Sequence, residues 1–131
     1  MNQFDDRVVE EQSFAFRNLI GQDRWTAWSP IPTSLTVVGA PSYVGRTRIV
    51  GKECQFQAKL SAATSIASVA GTTYLALPFT AMGLSGEASM TDETTKIAVG
   101  LCHIDVINSR CYLPTQLASG DVFHVAGRFE V

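Results

Sequence analysis

The stretch GKECQFQAKLS, residues 51–61, decides the fold. Glu53, Gln55, Gln57 and Lys59 alternate with Cys54, Phe56, Ala58 and Leu60, the period-two pattern of a β-strand with one wet face and one packed face. On a helix the same residues would be scattered around the circumference. The segment that feeds it, residues 43–49, carries Arg46 and Arg48 at the same two-residue spacing and runs into Val50-Gly51-Lys52. Gly51 there can take the positive φ that a tight hairpin loop demands. An antiparallel hairpin is expected, and downstream runs of the same texture repeat it.

Working outward, 131 residues with 46% hydrophobic content are enough for one domain with a sizeable core. The formal charge of -2 argues against a nucleic-acid binder, which usually presents a basic stripe to phosphates. Residues 1–24 hold Asp5, Asp6, Glu10, Glu11 and Asp23 against Arg7, Arg17 and Arg24, so the acidic excess lies there and the body is neutral. The three cysteines, Cys54, Cys102 and Cys111, cannot all pair within one chain. Reduced, buried thiols and assembly in a cytosolic compartment are expected. The opening MNQFDDRVVEE is not a secretory signal, and no apolar run is long enough to span a bilayer.

Residues 1–24 form a separate segment, read either as a short helix or as an extended arm. As a helix capped by Asp5 or Asp6 and stopped by Gly21, it gathers Val8, Val9, Ala15, Phe16, Leu19 and Ile20 on one face. From Trp25 the chain stiffens. Pro30 and Pro32 remove two backbone donors and hold the preceding residues extended, so this part can be a linker or an edge but not a central strand. Residues 34–38 are expected to form a short strand, 62–70 a loop with a short strand, and 72–77 a strand ended by Pro78. Residues 95–105 are apolar on both alternating sets, Ile97, Val99 and Leu101 against Ala98, Cys102 and Ile104, which predicts cover on both faces. Residues 107–110 signal a turn, and the closing strand puts Phe123, Val125, Phe129 and Val131 inward and His124, Arg128 and Glu130 outward. The total of about nine short strands predicts an all-β fold, an antiparallel, jelly-roll-like β-sandwich over residues 25–131.

Chemistry is sparse. The chain has no glycine-rich phosphate cradle, no paired-cysteine zinc spacing and no G-x-S-x-G elbow. Cys102 and His103 are neighbours on a strand, so their side chains leave opposite faces and do not share a metal. No catalytic, cofactor or metal residue is expected. Glu87, Asp92, Glu93 and Asp105 read as solvated acids at turns and strand ends, and Trp25 and Trp28 as packing residues with sugar stacking as the competing role.

Several segments taken together carry a resemblance: Trp25, Trp28 and Pro30; the 43–49 strand with its alternating arginines; the Gly51-Lys52 turn with Cys54-Gln55-Phe56; GTTYLALPF (71–79); NSRCYLPTQ (108–116); and the aromatic closing strand. In this order residues 25–131 resemble the distal β-sandwich domain of tailed-bacteriophage fibre and virion proteins. The resemblance implies a non-enzymatic virion structural protein that forms a homotrimer, is assembled in the host cytoplasm and projects from the particle for host-surface attachment. With Met1 at its start it is expected to be a small complete virion protein of the head-fibre, decoration or tail-fibre type. Residues 1–24 then anchor it to other capsid or tail proteins through Val8, Val9, Phe16, Leu19 and Ile20. The alternative is a carbohydrate-active or carbohydrate-binding sandwich that acts on host polysaccharide, with a host glycan or protein as partner. Neither nucleic acid nor membrane insertion is implied.

Overall fold

The computed structural model describes residues 24–83 and 86–131. The helix or arm expected before residue 24, with its anchoring residues, lies outside them. Among the described residues all ten regular elements are strands, β1 (Thr26–Trp28), β2 (Pro32–Thr33), β3 (Thr36–Val38), β4 (Pro41–Val50), β5 (Glu53–Ser68), β6 (Tyr74–Ala76), β7 (Gly86–Asp92), β8 (Ile97–Asp105), β9 (Arg110–Tyr112) and β10 (Gln116–Glu130). The fold is all-β and every pairing is antiparallel, in agreement with the alternation of the sequence.

The strands follow one hydrogen-bonded path, β1-β4-β5-β10-β7-β8-β9-β6-β2, with β3 beside β5. β1 and β2 end this path at opposite edges, yet only residues 29–31 separate them in sequence. Three residues bridge little more than ~14 Å, so the sheet must curl until its two edges approach. Pro30 lies in that bridge and is fully buried. The prolines therefore sit at the edges, where a missing ladder donor costs least.

The β4–β5 hairpin pairs Val50 with Glu53, which leaves Gly51 and Lys52 as a two-residue loop. Gly51 has φ 64° and supplies the positive value that a type II′ turn requires at its first loop position. Along β5 the even-numbered Cys54, Phe56, Ala58, Leu60 and Ala62 are all buried. β5 then continues to Ser68, where the small-residue run was expected to break into a loop. Its Ala and Ser side chains fit a crowded place: a Cβ on Gly39, between β3 and β4, would lie 2.6 Å from that of Ala63.

Phe56, Leu60, Met90, Phe123 and Phe129 from one half of the curled sheet meet Leu75, Ile104, Cys111 and Leu113 from the other in a single core. Phe123, Val125 and Phe129 point inward as expected, and Val131 packs partly against the same core. The reading of residues 95–105 as covered on both faces needs correction. A register shift between Met90 and Thr91 opposite β8 breaks the alternation, so Val99 packs against the core while Ile97 and Leu101 stay 60% and 81% exposed. Asp92 is also not a solvated acid. It is fully buried in the row Tyr43, Leu60, Phe123, Asp92. Its Oδ1 accepts from the backbone N–H groups of Thr94 and Thr95 at 3.0 and 3.3 Å, and its Oδ2 from the Gln116 amide at 2.9 Å. These bonds repay its desolvation and close the β7–β8 turn.

Gly127 sits in the inward row Thr47, Phe56, Gly127, Ala88, Cys102. A Cβ there would lie 2.4 Å from that of Ala88 and 2.8 Å from the Phe56 ring. Gly127→Ala is therefore expected to cost about 1–3 kcal/mol by overpacking, read from urea unfolding. Ala126→Ser on the half-exposed neighbouring position should stay within about 0.5 kcal/mol. Equal stability of the two variants would contradict the close packing at Gly127.

Candidate functional site

The outward face of the central strands is built by register. One row runs Arg46, Gln57, Ala126, Ser89, Leu101 across β4, β5, β10, β7 and β8. The next runs Arg48, Gln55, Arg128, Glu87 across the first four of these strands. Between them lies an open groove of ≈ 470 Å³ with Trp25 on one rim, Leu101 on the other and Ser89, Ala126 and Gly127 in its floor. Small floor residues make the depression, because the strands that flank them carry long side chains.

The polar groups in the groove and at its margins, where Arg46 and Glu53 line the neighbouring clefts, are held by one another. Arg46 Nε donates to Gln57 Oε1 at 2.8 Å and Arg48 Nε to Gln55 Oε1 at 2.7 Å. Gln55 in turn donates its amide to Glu53 at 3.0 Å. Arg128 lies between two acids, donating from Nε to Glu87 at 2.8 Å and approaching Glu53 at 3.6 Å. Its guanidinium is held more firmly protonated, first by the hydrogen bond to Glu87 and then by the charges of Glu87 and Glu53. The Trp25 ring is in contact with both arginines of β4, 4.5 Å from the Arg46 guanidinium carbon and 4.6 Å from that of Arg48, a cation–π geometry that fixes the indole over the groove.

The two tryptophans thus separate. Trp28 is turned against the core, its ring edge-on to Phe56 at 5.7 Å, while Trp25 faces the groove. His124 lines the neighbouring clefts with Lys59 and faces outward as expected. His103 is exposed on the outward side of β8, 6.3 Å from the Tyr112 ring, with Cys102 turned partly toward the core behind it. Asp105 accepts from the backbone N–H groups of Ile107 and Asn108 and from the Asn108 amide, which sets the β8–β9 turn. Those three bonds, led by the Asn108 side chain, lower its pKa. Among the described residues no three His, Cys, Asp or Glu side chains come together as a metal set. Sequence reading marked Arg46, Arg48 and Trp25 separately but did not join them. The two-residue spacing of the arginines was the available signal, and the pairing of β1 with β4 that delivers Trp25 beside them was not.

Neither a protein-family model nor a curated protein nor a solved structure matches the chain.

The thiols were expected to be buried throughout, which holds for Cys54 and Cys111 but not for Cys102, which is half-buried. β8 passes from pairing with β7 to pairing with β9 between Cys102 and His103. Native labelling is expected to modify one thiol quickly and two slowly; three fast reactions would contradict this burial. Burial raises the pKa of Cys54, and a hydrogen bond with Cys102 together with burial raises that of Cys111. Folded pKa values above the unfolded ones mean that the unfolded chain ionises first. Stability from this source is whole below about pH 8.5 and falls as the pH climbs beyond it. Urea midpoints at neutral and alkaline pH should differ by less in Cys54→Ala than in the parent protein.

Proposed function

We propose that the protein is a non-enzymatic structural and attachment module of a bacteriophage particle, displayed as a homotrimer with residues 1–24 as its anchor. The observation that carries the non-enzymatic reading is the mutual pairing inside the groove. Glu53 and Glu87 share Arg128, and the two glutamines are pinned by the arginines beside them. A glycosidase needs two carboxyl groups held in different environments across the scissile bond, whereas this face is organised for contact. The placement on a phage particle, as head fibre, decoration protein or tail-fibre component, is supported by the order of segments in residues 25–131. Self-association is supported by Ile97, a large apolar side chain left open on β8. Anchoring through Val8, Val9, Phe16, Leu19 and Ile20 is supported by their shared apolar character and by the acidic flank at Asp5, Asp6, Glu10 and Glu11, which disfavours parallel self-packing.

Deletion of residues 1–22 is expected to leave a folded trimer that no longer binds particles lacking the protein. Undiminished binding would remove the anchor assignment, and collapse to monomers would turn the segment into a trimerisation element. Light scattering on the intact chain should give three protomers, and Ile97→Asp should give folded monomers. A monomeric parent protein at micromolar concentration contradicts the trimer. Incubation with host-surface polysaccharide should leave its size distribution unchanged, and shortening of the glycan would establish the enzymatic alternative instead.

A further inference from the structure

We propose that the groove between Trp25 and Leu101 binds an acidic glycan, with Arg48 in the groove and Arg46 at its margin receiving the sugar's carboxylate or sulfate and Trp25 packing against a ring. The argument begins with charge. The chain carries 12 acids against 10 basic side chains, yet two guanidinium groups stand side by side on β4 with no ion-pair partner among the described residues. Arg128, on the same face, has two. Arginines without an acid among the described residues, at positions alternating along one strand face, are placed to receive counter-charge from a ligand.

Their geometry is prepared for it. Each guanidinium uses Nε on a glutamine, at 2.8 and 2.7 Å, which sets the plane of the group. Its terminal nitrogens have no acceptor among the described residues. Residues two apart on a strand lie about 6.6 Å apart, so the pair can grip one anionic group or two on successive sugars. Trp25, in contact with both, joins an apolar ring surface to the two cations. Beyond them Gln55, Gln57, Arg128 and Glu87 offer planar donors and acceptors across strands spaced about 4.8 Å apart, a pattern that suits a ligand rich in hydroxyl groups.

Other anionic polymers fit less well. A nucleic acid brings a continuous run of phosphates, which would be driven against Glu53 and Glu87 at the Arg128 end of the groove. An extended peptide docks by adding to a sheet edge, and the groove lies on a sheet face whose strands already have neighbours on both sides. A glycan with an acid on some of its sugars matches a site with cations at one end and paired, neutralised polar groups along the rest.

This inference takes from the proposed function only that the face is turned outward, and it is tested on the purified full chain. Oligogalacturonate, a dextran fragment of equal length and a single-stranded oligonucleotide of equal charge are titrated by calorimetry, with tryptophan emission as a second signal. Oligogalacturonate is expected to bind, to perturb tryptophan emission and to weaken with added salt, with dextran and oligonucleotide at least tenfold weaker. Arg46→Gln with Arg48→Gln should lower affinity at least tenfold, and Trp25→Ala should lower it and abolish the emission change. Arg46→Lys with Arg48→Lys keeps the charge, loses the planar fork and should fall between; it also serves if the glutamine pair fails to fold. Absence of binding at millimolar oligogalacturonate, binding indifferent to the arginine variants, or equal affinity for the oligonucleotide each overturn the proposal. A protein that binds oligogalacturonate but no particle would sink the particle assignment and leave the groove standing; particle attachment without glycan binding does the reverse.

Discussion

The pairing of β5 with β10 is the constraint on which the other parts depend. These are the two longest strands, 16 and 15 residues, and they bring Phe56 beside Gly127 and Leu60 beside Phe123. Their inward sides supply the aromatic part of the core, and their outward sides supply Gln55, Gln57, Arg128 and Ala126 to the groove. A shift of register by one residue would exchange the two faces. Phe123 would then stand in solvent and Arg128 in the core. Gly127 resists such a slip: its missing side chain leaves room for the Phe56 ring and nothing larger.

The curl of the sheet follows from the same pairing. A long, half-buried central ladder must twist, and with strands added on both sides the two edges come round toward each other. The edge strands are short, β1 with three residues and β2 with two. Short edges with proline beside them give other chains little to pair with. The curl also places Trp25, at the margin of the described chain, over the arginines of β4. Edge protection and groove construction are thus served by one run of sequence, residues 24–33.

Much of this was legible from local pattern. Alternation named β4, β5 and the closing strand, glycine chemistry named the loop at Gly51, and proline named the edges. What escaped depends on partners far along the chain. Residues 62–68 look like a loop because alanine and serine carry little hydrophobic signal, but they are a strand because β3 and β10 close on them from both sides. Asp92 looks like a turn acid and is buried because Gln116, 24 residues away, and the turn amides satisfy it. Val99 breaks the period of its strand at a register shift that its own neighbours do not announce. The groove has the same character: each side chain was visible, and their meeting required the register of five strands.

The long sequence separation between β5 and β10 has a consequence for synthesis. Phe123 is the partner of Leu60, and at ribosomal rates the roughly sixty residues between them take ~3–12 s to emerge. During that time β5 has β4 on one side and an open edge on the other, with Phe56, Leu60 and Ile66 exposed to the cytoplasm of whatever cell makes it. Collapse of a chain this size takes about 10–100 μs and long-range strand pairing about milliseconds to seconds, so the wait for the last strand adds seconds to the time during which the nascent chain is open to aggregation. A sheet whose central seam joins its middle to its end thus ties successful production to translation speed and to chaperones that shield unpaired strand edges.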